Sequence, residues 1–154
     1  RVGDVEIEAI HTPGHTRGSM TFLVNNQMIT GDTLFINGIA RPDLKDKTDE
    51  YAAELFATYQ DKILNLKENL SVMPGHFTNV KLNFGEAVSS ALKDVKKLPQ
   101  LQLSKAEFVN YIKSHQPEKP PNYETIKRIN AGELEFYEEE AGDLEEGPNM
   151  CTVR

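Results

Sequence analysis

A single cysteine and four histidines in 154 residues leave little with which to build a metal or redox centre. With Cys151 alone, an intramolecular disulfide is impossible and so is a thiolate zinc cluster. A reducing compartment fits that usage, and the expected location is cytoplasmic. Long apolar runs are also lacking: no stretch approaches the roughly 20 residues of a membrane span, so no membrane is expected as a partner. The opening "RVGDVEIEAI" lacks the charged, apolar and small-residue order of a signal peptide. With no initiator Met and an alternating segment beginning at once, the chain is expected to start inside a larger protein.

Basic character is scarce too. The formal net charge is −7, and residues 133–146, "ELEFYEEEAGDLEE", hold eight acidic side chains and no Lys or Arg. Setting those eight aside leaves the rest of the chain at +1. A body so near neutrality carries no electrostatic footprint for nucleic acid. The acidic stretch, with Leu134, Phe136, Tyr137 and Leu144 in it, reads as a charged surface strip with a few docked apolar anchors.

What is present is a patterned chain of one-domain size. Val5, Ile7 and Ala9 alternate with Glu6 and Glu8, which predicts a half-buried strand running into His11. "SMTFLV" and "MIT" flank "NNQ", a hairpin signal because Asn tolerates the positive φ of a tight turn. From about Asp49 to Leu66 the apolar positions recur at helical spacing, and a helix is expected there. "LSVMP" reads as a short buried strand, and residues 86–98 as a second helix with Ala87, Val88, Ala91, Val95 and Leu98 on one face. "SKAE" at 104–107 is a capping box that opens a third helix, which must stop before "PEKPPN". "YETIKRIN" is a last short helix, ended by Gly132. Strands, helix, strand, helix make a mixed α/β layout.

The histidines carry the chemistry. His115 ends an amphipathic helix, where a cation suits the helix dipole, and reads as a surface residue. His11 and His15, in "HTPGHTRGS", are spaced as two zinc ligands would be on one helix face. Pro13 and Gly14 make that helix untenable, so the rings point apart and only one is expected to be a ligand. Asp32 follows a short apolar strand in "TGDTLF", and His76 follows another in "MPGHF". Three times a strand runs into a Gly-containing turn that presents one metal-competent side chain: His15, Asp32 and His76. Oxygen and imidazole donors suit Zn(II), Fe(II) or Mn(II). Such a metal either lowers the pKa of bound water to make a nucleophile or holds substrate and dioxygen at open positions.

"HTPGHTRGS", "TGDTLF" and "PGHF", in that order, resemble the later metal motifs of the metallo-β-lactamase fold, and within it the branch of glyoxalase II and the glutathione-persulfide dioxygenases. The similarity covers about residues 1–100, and "PPNYETIKRIN" resembles the tail of bacterial persulfide-dioxygenase-like members. It implies an α/β architecture, the C-terminal half of an αββα sandwich, with a mixed sheet and helices on its outer face. Residues 1–100 would form that half, and 101–154 a helical C-terminal extension with an acidic tail. By position, the resemblance makes His15 a metal ligand, His11 structural and Asp32 the carboxylate ligand. His76 becomes a catalytic-site histidine, a second-metal ligand in glyoxalase II but a neighbour of a mononuclear iron in the dioxygenases. "GIARPDL" stands where the dioxygenases carry Gly-Arg-x-Asp, which gives Arg41 the substrate side of the site, with Asp43 orienting it; Ala40 replaces the usual Gly.

The family's first metal motif, His-x-His-x-Asp-His, is absent. The resemblance therefore implies a parent that uses Fe(II) and O2 to oxidise a small-molecule thiol persulfide to sulfite, with this chain alone inactive. The alternatives are a thioester hydrolase with a dinuclear Zn(II) site and a non-catalytic interaction module. A single sheet covered on one face would leave an apolar surface, so a homo-oligomer or association with the missing N-terminal half is expected.

Overall fold

The computed structural model describes residues 1–42, 47–77, 85–116, 122–135, 137, 144 and 152–153. Two compact units result, 1–116 with 152–154 and 117–151. The larger unit opens with β1 (Ile7–His11), β2 (Met20–Val24) and β3 (Gln27–Gly31), antiparallel in sequence. The hairpin between β2 and β3 turns at "NN", where Asn25 takes φ +54°, the conformation for which Asn is suited. The five-stranded sheet continues through β6 (Ser71–Pro74), which pairs in parallel with β3, to β7 (Ser90–Ala91). A second sheet is built from β4 (Leu34–Phe35), β5 (Gly38–Ala40) and β8 (Thr152–Val153). Neither β4 nor β5 is signalled by periodicity, because two or three residues hold no period.

The pleat sends alternate residues to opposite faces. Thr21, Met28, Thr30 and Val72 are buried on one face, in the core with Leu55, Ile63, Phe108 and Ile112. Phe22 and Ile29 sit opposite each other in the register on the other face and are 39% and 42% exposed. Ile7 lies on that same face, and Val5, Ile7 and Ala9 are exposed, not half-buried as their alternation predicts.

The helix expected over 49–66 divides into α1 (Thr48–Ala57) and a π-helical turn (Thr58–Ile63), in which the Leu64 amide donates to the Tyr59 carbonyl at 2.9 Å. The helix expected over 86–98 is a correction: 86–89 are irregular, and Ser90 and Ala91 pair with Val72 and Ser71 as β7. Within that span only α2 (Leu92–Val95) is helical, and a 3-10 turn (Pro99–Gln102) follows it. α3 (Lys105–Ser114) carries the expected capping box, with Ser104 accepting from the Glu107 amide and Glu107 accepting from the Ser104 amide. It stops short of the prolines, of which 117, 120 and 121 lie outside the described residues.

In the smaller unit, α4 (Tyr123–Asn130) ends where Gly132 takes φ +71°. Lys127 lies 5.8 Å from the centroid of the Tyr123 ring and 3.4 Å from Glu124. Most of the acidic stretch lies outside the described residues. Among those described, no helix is long and apolar enough to cross a membrane.

Candidate metal centre

β1, β3 and β6 all run in one direction, since β1 and β3 are each antiparallel to β2 while β3 and β6 are parallel. Their C-terminal ends therefore face the same edge, the place where side chains of α/β sheets converge on ligands. The loop after β1 carries His15, the turn after β3 carries Asp32, and the turn after β6 carries His76.

Each turn is held by its own chemistry. The Thr12 amide donates to the Ser19 carbonyl at 2.9 Å, closing the loop from β1 to β2. Gly14 takes φ +139°, and a Cβ there would meet Cα and Cβ of Leu55 at 2.5 Å, so the loop lies with its backbone against α1. Arg17 pairs with Glu50 and stands 5.6 Å over the Tyr51 ring. Lys47 and Arg17 together hold the Glu50 carboxyl below its ordinary range. After β3, Gly31 takes φ +50° and accepts from the Gly75 amide at 2.8 Å, which ties the Asp32 turn to the His76 turn. A Cβ at Gly75 would stand 3.1 Å from Asp32 Oδ1, so glycine leaves that carboxylate its room.

His15 is buried, and its Nδ1–H donates to the Arg41 carbonyl at 2.9 Å. That bond fixes the tautomer and leaves the Nε2 lone pair free, as a metal-binding imidazole requires. Nε2 stands 3.7 Å from Asp32 Oδ2. This is too long for a hydrogen bond but near the roughly 3.3 Å that separates two donors on one tetrahedral ion with bonds of about 2.0–2.1 Å. The other oxygen, Asp32 Oδ1, accepts from His76 Nδ1 at 2.5 Å. Asp32 thus stands between two imidazoles, one on each oxygen. The donor set of His15 and Asp32 suits a metal of imidazole and carboxylate preference. Among the described residues, no group of three or more His, Cys, Asp or Glu side chains is gathered to hold an ion.

His11 is exposed, and its Nε2 donates to the Arg17 carbonyl at 2.6 Å, bracing the loop from outside. Arg41 is 1% exposed, and its main-chain carbonyl meets His15 at the centre. Asp43 lies outside the described residues. His115 stacks on Tyr111, ring centroids 4.1 Å apart.

The hydroxyls beneath these turns belong to no motif of the sequence. Thr12 Oγ1 shares hydrogen bonds of 3.2 Å with both Thr21 Oγ1 and Thr33 Oγ1, all three buried. Thr58 Oγ1 donates to the Pro13 carbonyl at 2.7 Å, and Tyr59 Oη to the Thr33 carbonyl at 2.6 Å. Burial pushes the Tyr59 hydroxyl far up, so it stays a neutral donor. The one available signal was threonine directly after His11 and Asp32.

No family model matches the chain. It is 32% identical over 122 residues to the mitochondrial persulfide dioxygenase ETHE1 of Mus musculus, covering 78% of this chain and 45% of that protein. To a probable hydroxyacylglutathione hydrolase of Schizosaccharomyces pombe it is 35% identical over 105 residues, covering 64% and 39%. Among solved structures, a metallo-β-lactamase from Staphylococcus aureus superposes with a TM-score of 0.76 at 27% identity, over 90% of this chain and 44% of that one. The chain therefore has the metallo-β-lactamase fold. Its likeness to a persulfide dioxygenase and to a probable hydroxyacylglutathione hydrolase supports the branch of the fold that holds both. It spans less than half the length of the curated relatives it matches.

Proposed function

We propose that this chain supplies His15 and Asp32 to the mononuclear Fe(II) centre of a persulfide dioxygenase, with His76 beside the metal and not on it. The observation that carries this reading is the use of His76 Nδ1: it donates to Asp32 Oδ1 at 2.5 Å, while Oδ2 faces His15 Nε2. A histidine bonded to the carboxylate in that way orients the ligand. The reaction is RSSH + O2 + H2O → RSH + H2SO3: the terminal sulfur is oxidised, dioxygen is reduced, and the sulfur–sulfur bond breaks. His15 and Asp32 would hold the Fe(II), which would supply the redox chemistry between the persulfide and dioxygen. The chain's own residues would hold His15 in its Nδ1–H tautomer through the Arg41 carbonyl and fix the second Asp32 oxygen through His76. Arg41 and Asp43 belong to the substrate side in this reading.

A second reading rests on the same carboxylate. Because its two oxygens face different imidazoles, Asp32 would with His15 and His76 also offer ligands to Zn(II), which would supply an activated water for thioester hydrolysis. The test is metal content and turnover of the protein at its natural length, fed glutathione persulfide. One iron per chain, oxygen uptake and sulfite are expected. Asp32→Asn is expected to lose metal by more than the about 10–100-fold typical of an outer partner. Two zincs and thioester cleavage without oxygen uptake would overturn the dioxygenase reading.

A further inference from the structure

We infer that Tyr59 is a positioning residue whose single hydroxyl locks the Asp32 turn to the segment that orients His15. The inference rests on the metal-centre reading above. Tyr59 Oη donates to the carbonyl of Thr33, the residue after Asp32, at 2.6 Å. It accepts at 3.1 Å from the amide of Ala40, the residue before Arg41. The Arg41 carbonyl in turn receives His15 Nδ1–H at 2.9 Å. The two metal-competent side chains are therefore linked by an unbroken path that crosses one phenolic oxygen.

Three features set this hydroxyl apart from ordinary core filling. Tyr59 is 1% exposed, and phenylalanine would fill the same volume with no polar group to satisfy. Its partners are main-chain groups that flank Asp32 and the His15 acceptor, one in the turn after β3 and one at the end of β5. Its ring is fixed from behind by the edge of Phe108, centroids 6.0 Å apart and planes at 77°. The neighbouring Thr58 holds the His15 loop through the Pro13 carbonyl at 2.7 Å. Two consecutive residues that open the π-helical turn thus brace both loops, and such turns recur at functional sites.

The experiment uses Tyr59→Phe in the chain as it stands, with Tyr111→Phe as the control. Tyr111 also has a hydroxyl in a hydrogen bond, from Gln100 at 3.2 Å, on a different helix. Imidazole nitrogen–proton correlation spectra of the metal-free chain report the His15 tautomer, and amide exchange reports Ala40. In Tyr59→Phe the Ala40 amide and the His15 Nδ1 proton are expected to exchange about tenfold faster, with mixing of the His15 tautomers. Tyr111→Phe should leave both unchanged, even where it lowers thermal stability. In the protein at its natural length, Co(II) affinity should fall about tenfold in Tyr59→Phe, with an altered visible spectrum. Should Tyr59→Phe fail to fold, fluorotyrosine at position 59 keeps the hydroxyl, makes it a stronger donor, and should shift the His15 Nδ1 proton resonance. An unchanged His15 signal in either variant overturns the inference, whatever the metal does. A protein of natural length that never takes up Co(II), while Tyr59→Phe still releases His15, overturns the metal reading and leaves this one standing.

Discussion

Gly14→Ala isolates the contact that seats the His15 loop on α1. The added Cβ would lie 2.5 Å from both Cα and Cβ of Leu55 and 2.8 Å from its Cδ1. Ordinary carbon contacts are about 3.5–4.0 Å, so the loop must rise by roughly 1 Å. Leu55 Cα is helix backbone in a packed core and will not yield instead. The φ of +139° adds strain on the order of 1–3 kcal/mol for a residue with a side chain. Lifting the loop also stretches the 2.7 Å bond from Thr58 to the Pro13 carbonyl, a further loss of about 1 kcal/mol. Together with the residual clash, the expected loss is about 3–5 kcal/mol, against a typical total of about 5–15 kcal/mol. Guanidinium denaturation followed by circular dichroism measures it directly, and the melting temperature should fall on the order of 10 °C. Leu55→Ala in the same chain removes Cδ1 but leaves Cα and Cβ, so the double variant should recover little. A loss under about 1 kcal/mol, or full recovery by Leu55→Ala, would refute the claim that backbone meets backbone there.

Two other perturbations probe the frame around the centre. Ser104→Ala should destabilise the protein by about 1 kcal/mol, the usual effect of removing an N-cap, measured by urea denaturation. Ser104's hydrogen bonds hold the Glu107 carboxyl below its ordinary pKa. The cap's contribution is therefore complete above the unfolded carboxylate pKa and is lost as pH falls through the lower folded value; a wild-type-minus-variant difference that grows on acidification would contradict this. The exposed pair Phe22 and Ile29 should make the chain self-associate at micromolar concentration, and Phe22→Glu should abolish it. A clean wild-type monomer in sedimentation velocity would remove that expectation.

Local chemistry was legible wherever it settled the outcome. The hairpin needed only alternation on both sides of an Asn turn, and Asn25 does take the positive φ. The capping box needed only Ser104 and Glu107, which satisfy each other's amides without outside help. Residues 86–98 were misread because their apolar spacing is real, yet Ser90 and Ala91 find β6 as a partner. Tertiary pairing overrides propensity in that way. The π-helical turn was invisible for another reason: one added residue in a helix barely disturbs the apolar periodicity that predicts it. The choice between His11 and His15 was prepared by Pro13 and Gly14, which turn the chain between the rings, so that one brings Nε2 to Arg17 and the other to Asp32.

The bracing of the centre was not legible because turns cannot be buried by apolar packing alone. Every buried peptide group must find a hydrogen-bond partner, and a turn has no ladder to supply one. Pressing the His15 and Asp32 turns against α1 buries such groups at Pro13, Thr33 and Ala40, and the sequence answers with hydroxyls at Thr58 and Tyr59. In the sequence Tyr59 is one more apolar position on a helical stripe, and Thr12, Thr21 and Thr33 are scattered β-branched residues. Only the fold turns them into one polar layer between the helix and the strand ends. It follows that apolar substitutions there should act in two ways: Thr58→Val and Tyr59→Phe keep volume but strand a carbonyl, whereas Ile63→Val removes volume and strands nothing. If the layer exists to set the turns, the first two should disturb His15 and Asp32 out of proportion to their cost in stability, and the third should not.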